Sequence, residues 1–298
     1  MDETSPADAS ISRVEDGRGG FDAPIRDTLL RLGYLSQDQT ARVMAYQVER
    51  NLDFDQAALE LGYITVDDLD QAREQLINSM ALQDTRRRAV SDELVVVHQE
   101  ASIRSESIRL LRTQIIAQHM RSGRRGLAFV SPVGNVGCSY IAANLAASLS
   151  QVGIKTLLID ANMRNPRLDQ FFGLDPAAPG LSSFLSLQVA RPERVVHANV
   201  LPSLSVMTAG PVVGRPQELL SGNRFRDGMN TLLREYDLVL FDTPPSNSNA
   251  DALTIGAAAG YALMVARRNI SYFKDVNVLT DQLAAARCPI IGAVLNEY

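Results

Sequence analysis

The stretch 127–146, LAFVSPVGNVGCSYIAANLA, constrains the chain more than any other. Leu127–Val130 is an apolar run that reads as a buried strand. A loop with Gly134 and Gly137 follows, and then Ile141, Leu145 and Leu149 recur at helical spacing. Strand, glycine loop and helix is the layout in which backbone N–H groups and a helix N-terminus face a phosphate. The pattern for such loops is G-x-x-x-x-G-K-[ST]. Here Cys138 fills the lysine slot and Ser139 follows it. The candidate nucleotide-binding residues are Gly134, Asn135, Val136, Gly137, Cys138, Ser139 and Tyr140. The chain has the layout of a nucleotide site without its main positive charge.

Length and charge set the outer bounds. With 298 residues the chain has room for about two domains of roughly 150 residues each. A net charge of −5 gives no argument for nucleic-acid binding. The longest apolar run, Ala257–Ala266, is far short of the ~20 residues a membrane helix needs, so no membrane span is expected. Residues 1–20 carry no apolar segment, so no secretory signal is expected either. Cys138 and Cys288 are the only cysteines and lack metal spacing, which fits a reducing cytoplasm. Lys155 and Lys274 are the only lysines.

The chain divides by pattern. Residues 1–20 read as a disordered arm. Residues 21–80 read as a small helical module, because LGYLSQDQTARVMAYQ (32–47) is echoed by LGYITVDDLDQAREQ (61–75). In each copy a helix ends at Gly33 or Gly62 and the next is capped by Ser36 or Thr65, with Ser36 and Gln39 forming a capping box. The module resembles the N-terminal module of type II secretion and pilus assembly ATPases. The Arg-Leu-Gly with which some of those bind cyclic di-GMP is missing, since Pro24-Ile25-Arg26 and Asp53-Phe54-Asp55 stand there. Protein docking is therefore the preferred role, ahead of a passive spacer. Residues 81–100, with Arg86-Arg87-Arg88, read as a solvated linker. From 101 to 298 strands alternate with helices, the strands expected at 127–131, 156–160, 204–208, 238–242, 261–266 and 290–295. Continuous apolar strands separated by helices predict a mainly parallel sheet covered by helices on both faces, with ligands at the carboxyl ends of the strands.

Two further motifs fit that frame. LVLFDTPP (238–245) reads as a strand whose terminal Asp242 holds a Mg²⁺ water at the phosphate edge, and TLLIDANMRNPR (156–167) is a second strand ending in Asp160. With the loop, these define an α/β P-loop NTPase fold. The set SPxxxxGxSYxAANLA, LLIDANMRNPR, FFGL, GLSSFL, AGP, PQELL, YDLVLFDTPP and GAVLNEY resembles the bacterial tyrosine kinases of capsule and exopolysaccharide synthesis, in particular the chain-length-determinant autokinases. The resemblance implies catalytic Asp160 and Asp242, and a Mg²⁺ site at Ser139, Asp160 and Asp242. It also implies that Asn296 lies near the base. Glu106, Arg109 and Arg112 match the E-x-x-R-x-x-R helix that joins family members into a ring.

The departures are equally specific. Cys138 cannot neutralise phosphate, Asn162 replaces a second strand-end carboxylate, and Tyr298 is the one tyrosine where the family has a tyrosine-rich tail. Lys155 lies about 17 Å away at the opposite end of a strand, and Lys274 is placed on a surface helix, so no lysine rescue is expected. An Arg from a neighbouring subunit stays open. Cys138 reads as a small residue filling a vacated position, with a reactive thiol of lowered pKa as the alternative. Binding of ATP and Mg²⁺ is expected to be weak or absent.

The preferred function is a cytoplasmic kinase-fold component with impaired phosphotransfer. It would be held at the inner face of the membrane by the cytoplasmic tail of a polysaccharide co-polymerase, form a homo-oligomer and regulate chain length. An active tyrosine autokinase phosphorylating Tyr298 is the first alternative. A positioning ATPase of the division-site type is the second, opposed by Val133 where such proteins carry an extra lysine.

Overall fold

The computed structural model describes residues 22–50, 52–73 and 90–297. They fall into two compact units, divided between Ser79 and Met80. The expected arm 1–20, most of the expected linker and Tyr298 lie outside the described residues.

The first unit consists of α1 (Asp22–Arg31), α2 (Gln37–Arg50), α3 (Phe54–Glu60) and α4, helical over 66–73. Its repeat is exact in what it buries: Ile25 and Phe54, Thr28 and Ala57, Leu29 and Ala58, Leu35 and Ile64, Thr40 and Leu69, Val43 and Ala72 are all buried and each pair is 29 apart. Gly33 (φ +77°) and Gly62 (φ +65°) take the left-handed conformation that ends a helix. The expected capping box is present, with Gln39 N–H donating to Ser36 Oγ (3.2 Å) and Ser36 N–H to Gln39 Oε1 (2.9 Å). The second copy builds the same device with Thr65 and Asp68, at 3.2 and 2.9 Å.

The second unit is built on a seven-stranded sheet in the order β3-β4-β2-β5-β1-β6-β7. The strands are β1 (Gly126–Val130), β2 (Thr156–Asp160), β3 (His197–Leu201), β4 (Leu204–Met207), β5 (Leu238–Asp242), β6 (Ala262–Arg267) and β7 (Ile290–Asn296). All pairings are parallel except β3 with β4. Strand alternation divides the core. Leu127 and Phe129 pack with Ile141 and Leu145 of α7 (Cys138–Ser150) and Ile108 and Ile115 of α6 (Ile103–Gln118). Ala128 and Val130 pack on the other face, with α11 (Asn223–Glu235), α12 (Asp251–Ala259) and α13 (Phe273–Ala285). The shorter helices are α5 (Val95–His98), α8 (Leu168–Phe172), α9 (Leu181–Leu185) and α10 (Pro216–Ser221). No helix among the described residues is long and apolar enough to cross a membrane.

Two expectations are corrected. Strand β3 was not expected; it is an edge strand, HANVL, with exposed Ala198 and Asn199, so it carries little apolar signal. The expected linker 81–100 is cut short, because residues 90–100 belong to the second unit. Leu94, Val95 and Val96 are buried in its core. Asn144 of α7 donates to the Glu93 carbonyl (2.9 Å) and accepts from Val96 N–H (3.3 Å), while Gln151 donates to the Val96 carbonyl (2.9 Å).

Candidate functional site

The carboxyl ends of β1, β2 and β5 open onto a cleft of about 250 Å³, lined by residues 134–140 of the loop, by Asn162, Arg164, Asn165 and Arg167 after β2, and by 243–245 after β5. All seven loop residues expected there line it. Asn135 (φ +61°) and Gly137 (φ +91°) give the loop its left-handed turns. At Gly137 the positive φ disfavours any side chain, and an added Cβ would also displace the Asn296 amide. That amide donates to the Val136 carbonyl at 2.9 Å. Asn296 thus braces the loop and is not among the lining residues. Arg267 of β6 braces the same loop, donating to the Asn135 carbonyl at 3.1 Å.

Asp160 and Asp242 are register partners in neighbouring strands and both are fully buried. Burial raises the pKa of each above the ordinary carboxylate range, and the charge of Asp242 raises Asp160 further. Asp160 already accepts N–H bonds from Asn162 (3.1 Å), Arg167 (3.0 Å) and Leu168 (3.0 Å), so it chiefly shapes the 162–168 loop. Asn162 serves that loop too, its Oδ1 accepting from Asn165 N–H (3.1 Å) and its Nδ2 donating to the Asn165 carbonyl (3.0 Å). A carboxylate at 162 could not make the second bond.

Asp242 is different. The Ser139 hydroxyl and the Cys138 thiol pull it back toward its charged form, yet neither closes a full hydrogen bond, and both carboxylate oxygens are buried without a partner. A buried bare carboxylate beside a hydroxyl, at the foot of a phosphate-type loop, fits a hydrated divalent cation. Ser139 and Asp242 would hold it, and it would neutralise phosphate charge.

At the lysine slot, burial first and then the charge of Asp242 push the Cys138 thiol well above its usual range. That argues against the reactive-thiol alternative, which needs a lowered pKa, and a thiol brings the position no positive charge. Lys155 stacks on Tyr236 (5.2 Å) before the first residue of β2, and Lys274 is exposed on α13, so neither reaches the cleft. The arginines of the 162–168 loop do. Arg164 pairs with Asp251 (2.7 Å) and Arg167 with Glu93 (3.1 Å). Sequence reading passed over Arg164, Arg167 and Arg267. The one signal for Arg164 and Arg167 was their place within a few residues of the carboxyl end of β2, and Arg267 is itself the last residue of β6.

The expected ring helix is α6. Glu106 is exposed and pairs with Arg109, which also donates to the Glu100 carbonyl at 2.7 Å. Arg112 donates to the Ser148 carbonyl (3.0 Å) and hydroxyl (3.2 Å), so it helps build the unit.

A mainly parallel sheet with a glycine loop, a bracing strand and a bare aspartate at the carboxyl end of a central strand defines a P-loop NTPase. Residues 125–270 match the family described as an AAA domain. The chain is 31% identical over 217 residues to the tyrosine-protein kinase YwqD of Bacillus subtilis, covering 73% of this chain and 91% of that protein. It is 33% identical over 205 residues to the tyrosine-protein kinase ptk of Acinetobacter johnsonii, covering 68% of this chain and 28% of that protein. The kinase domain of the Escherichia coli tyrosine kinase ETK superposes with a TM-score of 0.65 at 30% identity, over 68% of this chain and 79% of that domain. The chain belongs to the bacterial tyrosine-protein kinase family, and it spans little more than a quarter of the length of ptk.

Proposed function

We propose that this chain is a kinase-fold component of an exopolysaccharide or capsule export system, acting chiefly through assembly, with weak nucleotide binding and impaired phosphotransfer. The observation that carries the reading is that Cys138, which offers no cation, fills the loop's lysine position, in a cleft whose loop and Asp242 are otherwise intact. Phosphoryl transfer depends on electrostatic stabilisation of the transferring group, and a thiol supplies none. Mg²⁺ and ATP are its ligands where it binds any. Its partner is the cytoplasmic tail of a membrane polysaccharide co-polymerase, which places it at the inner face of the membrane. The support for the partner is membership of the family and the retained Glu106, Arg109 and Arg112 helix.

The test is a comparison of wild type with Cys138→Lys for Mg·ATP affinity, ATP turnover and phosphotyrosine. The lost charge-assisted contact is worth about 1.5–3 kcal/mol, so the substitution is expected to tighten binding roughly tenfold or more. Wild-type turnover is expected at background. Robust wild-type phosphotyrosine that vanishes in Asp242→Ala would instead establish the active autokinase.

A further inference from the structure

Three arginines stand at the phosphate loop among the described residues, and their charges are committed to different degrees. Arg267 holds the Asn135 carbonyl from outside and does not line the cleft. Arg164 lines it, but its Nε and Nη2 grip Asp251 at 2.7 and 3.4 Å, and that carboxylate is 1% exposed. Releasing Arg164 would strand a buried charge, which is strongly unfavourable. Arg167 also lines the cleft, but its partner Glu93 is 50% exposed. The Arg167 guanidinium also lies over the Phe171 ring at 5.3 Å. A solvent-open ion pair and one exposed cation–π contact hold a side chain weakly, so Arg167 leaves Glu93 at a lower cost than Arg164 leaves Asp251. Arg167 also lies on the aspartate side of the cleft, where its charge is felt at Asp242. Its backbone N–H is fixed to Asp160, so the side chain swings from an anchored base.

We infer that Arg167 replaces the missing loop lysine, moving from Glu93 onto the outermost phosphate of a bound nucleoside triphosphate. The inference rests on the reading of the cleft as a nucleotide site and names the residue that gives it what affinity it has. A guanidinium presents paired donors suited to two phosphate oxygens. Glu93 is the competitor. Its carbonyl is tied to Asn144 of the loop's own helix, so its carboxylate stays beside the cleft and holds Arg167 back when no nucleotide is bound. The arrangement is a charge shared between a resident carboxylate and a visiting phosphate.

Calorimetry with Mg·ATP and Mg·ADP on the full chain tests this in wild type, Arg167→Gln, Arg167→Ala, Glu93→Gln, Cys138→Lys and the Cys138→Lys/Arg167→Gln double variant. Two substitutions at Arg167 guard against a misfolded variant, and a thermal melt verifies each. Loss of Arg167 is expected to weaken Mg·ATP about tenfold or more and Mg·ADP less, because the contact is to the outermost phosphate. Glu93→Gln is expected to tighten Mg·ATP severalfold. With lysine restored at 138, the loss of Arg167 is expected to cost less than in wild type, because one contact then has two donors. Unchanged Mg·ATP affinity in both Arg167 variants overturns the inference and leaves the nucleotide reading standing. So does an equal loss with and without Lys at 138. Binding by Cys138→Lys alone, with none by wild type, also overturns it. Absence of binding in Cys138→Lys as well overturns the nucleotide reading itself.

Discussion

Asp160 and Asp242 face each other across adjacent parallel strands, and only one of them is bonded. Asp160 accepts three backbone N–H groups, whereas Asp242, equally buried, accepts none. The pair separates two tasks that a short motif merges, since the first carboxylate folds a loop and the second is left for a ligand.

Asp242→Asn is expected to stabilise the protein in the absence of Mg²⁺ and nucleotide. A raised carboxylate pKa means that the fold prefers the protonated form. That preference favours folding at pH below the unfolded carboxylate value and is lost as pH rises through the folded value. At neutral pH the bare charge therefore costs the fold on the order of 1–3 kcal/mol. Thermal melts at pH 7.5 should show a higher Tm for the variant, and added Mg²⁺ should raise wild type alone. A variant less stable than wild type without Mg²⁺ would show that Asp242 is not strained.

His119 should impose an acid limit on stability. It is fully buried, and burial depresses its pKa to about 4, with the Gly126 carbonyl bond opposing the shift and Arg124 adding to it. A depressed folded pKa gives stability that is present above the unfolded value of about 6.5 and lost as pH falls from there through 4. The loss amounts to about 2–4 kcal/mol. Urea midpoints measured from pH 7 to 4 should fall less steeply for His119→Phe than for wild type. Parallel profiles would remove His119 from the account.

Asn144→Ala should detach the 93–96 segment from α7. The side chain makes bonds to Glu93 and Val96 and one to the Tyr140 carbonyl (3.0 Å), and it is buried. Orphaning such groups costs about 1–3 kcal/mol each. Amide exchange should rise at Val96, whose N–H loses its acceptor, ahead of the strands. Uniform loss of protection would mean that the segment is not a separate unit.

Arg112 and Glu106 should part company when each is changed to Ala. Arg112→Ala removes the bond to the Ser148 carbonyl and should lower stability by about 1 kcal/mol or more. Glu106→Ala, 65% exposed, should stay within about 0.5 kcal/mol. If α6 joins subunits, light scattering should find Glu106→Ala folded but less associated, and wild-type association weaker in high salt. Unchanged association with and without salt would leave α6 as a solvated helix.

How legible each part was follows from how local its cause is. β2 and β5 were read to the residue because an apolar run ends in an aspartate in each, three residues long in β2 and four in β5. The first unit was legible because its repeat governs both caps and core. Residues 90–100 were misread because a charged run precedes them and their anchors, Asn144 and Gln151, are some fifty residues away. Arg167 was passed over for a similar reason. What aims it is the backbone fixation of the 162–168 loop by Asp160, which no spacing rule encodes. The missing lysine, by contrast, was visible in a single letter.

The pairing of buried positions 29 apart in the first unit has a consequence for how it folds. Ile25, Leu29, Leu35 and Val43 from the first copy share one apolar cluster with Phe54, Ala58, Ile64 and Ala72 from the second. Neither copy owns an interior, so neither holds its shape without the other. Melting of this unit is then all-or-none: a polar group placed at Val43 unravels the helix at Phe54 as surely as its own, and a peptide ending at Arg50 has no folded state to lose.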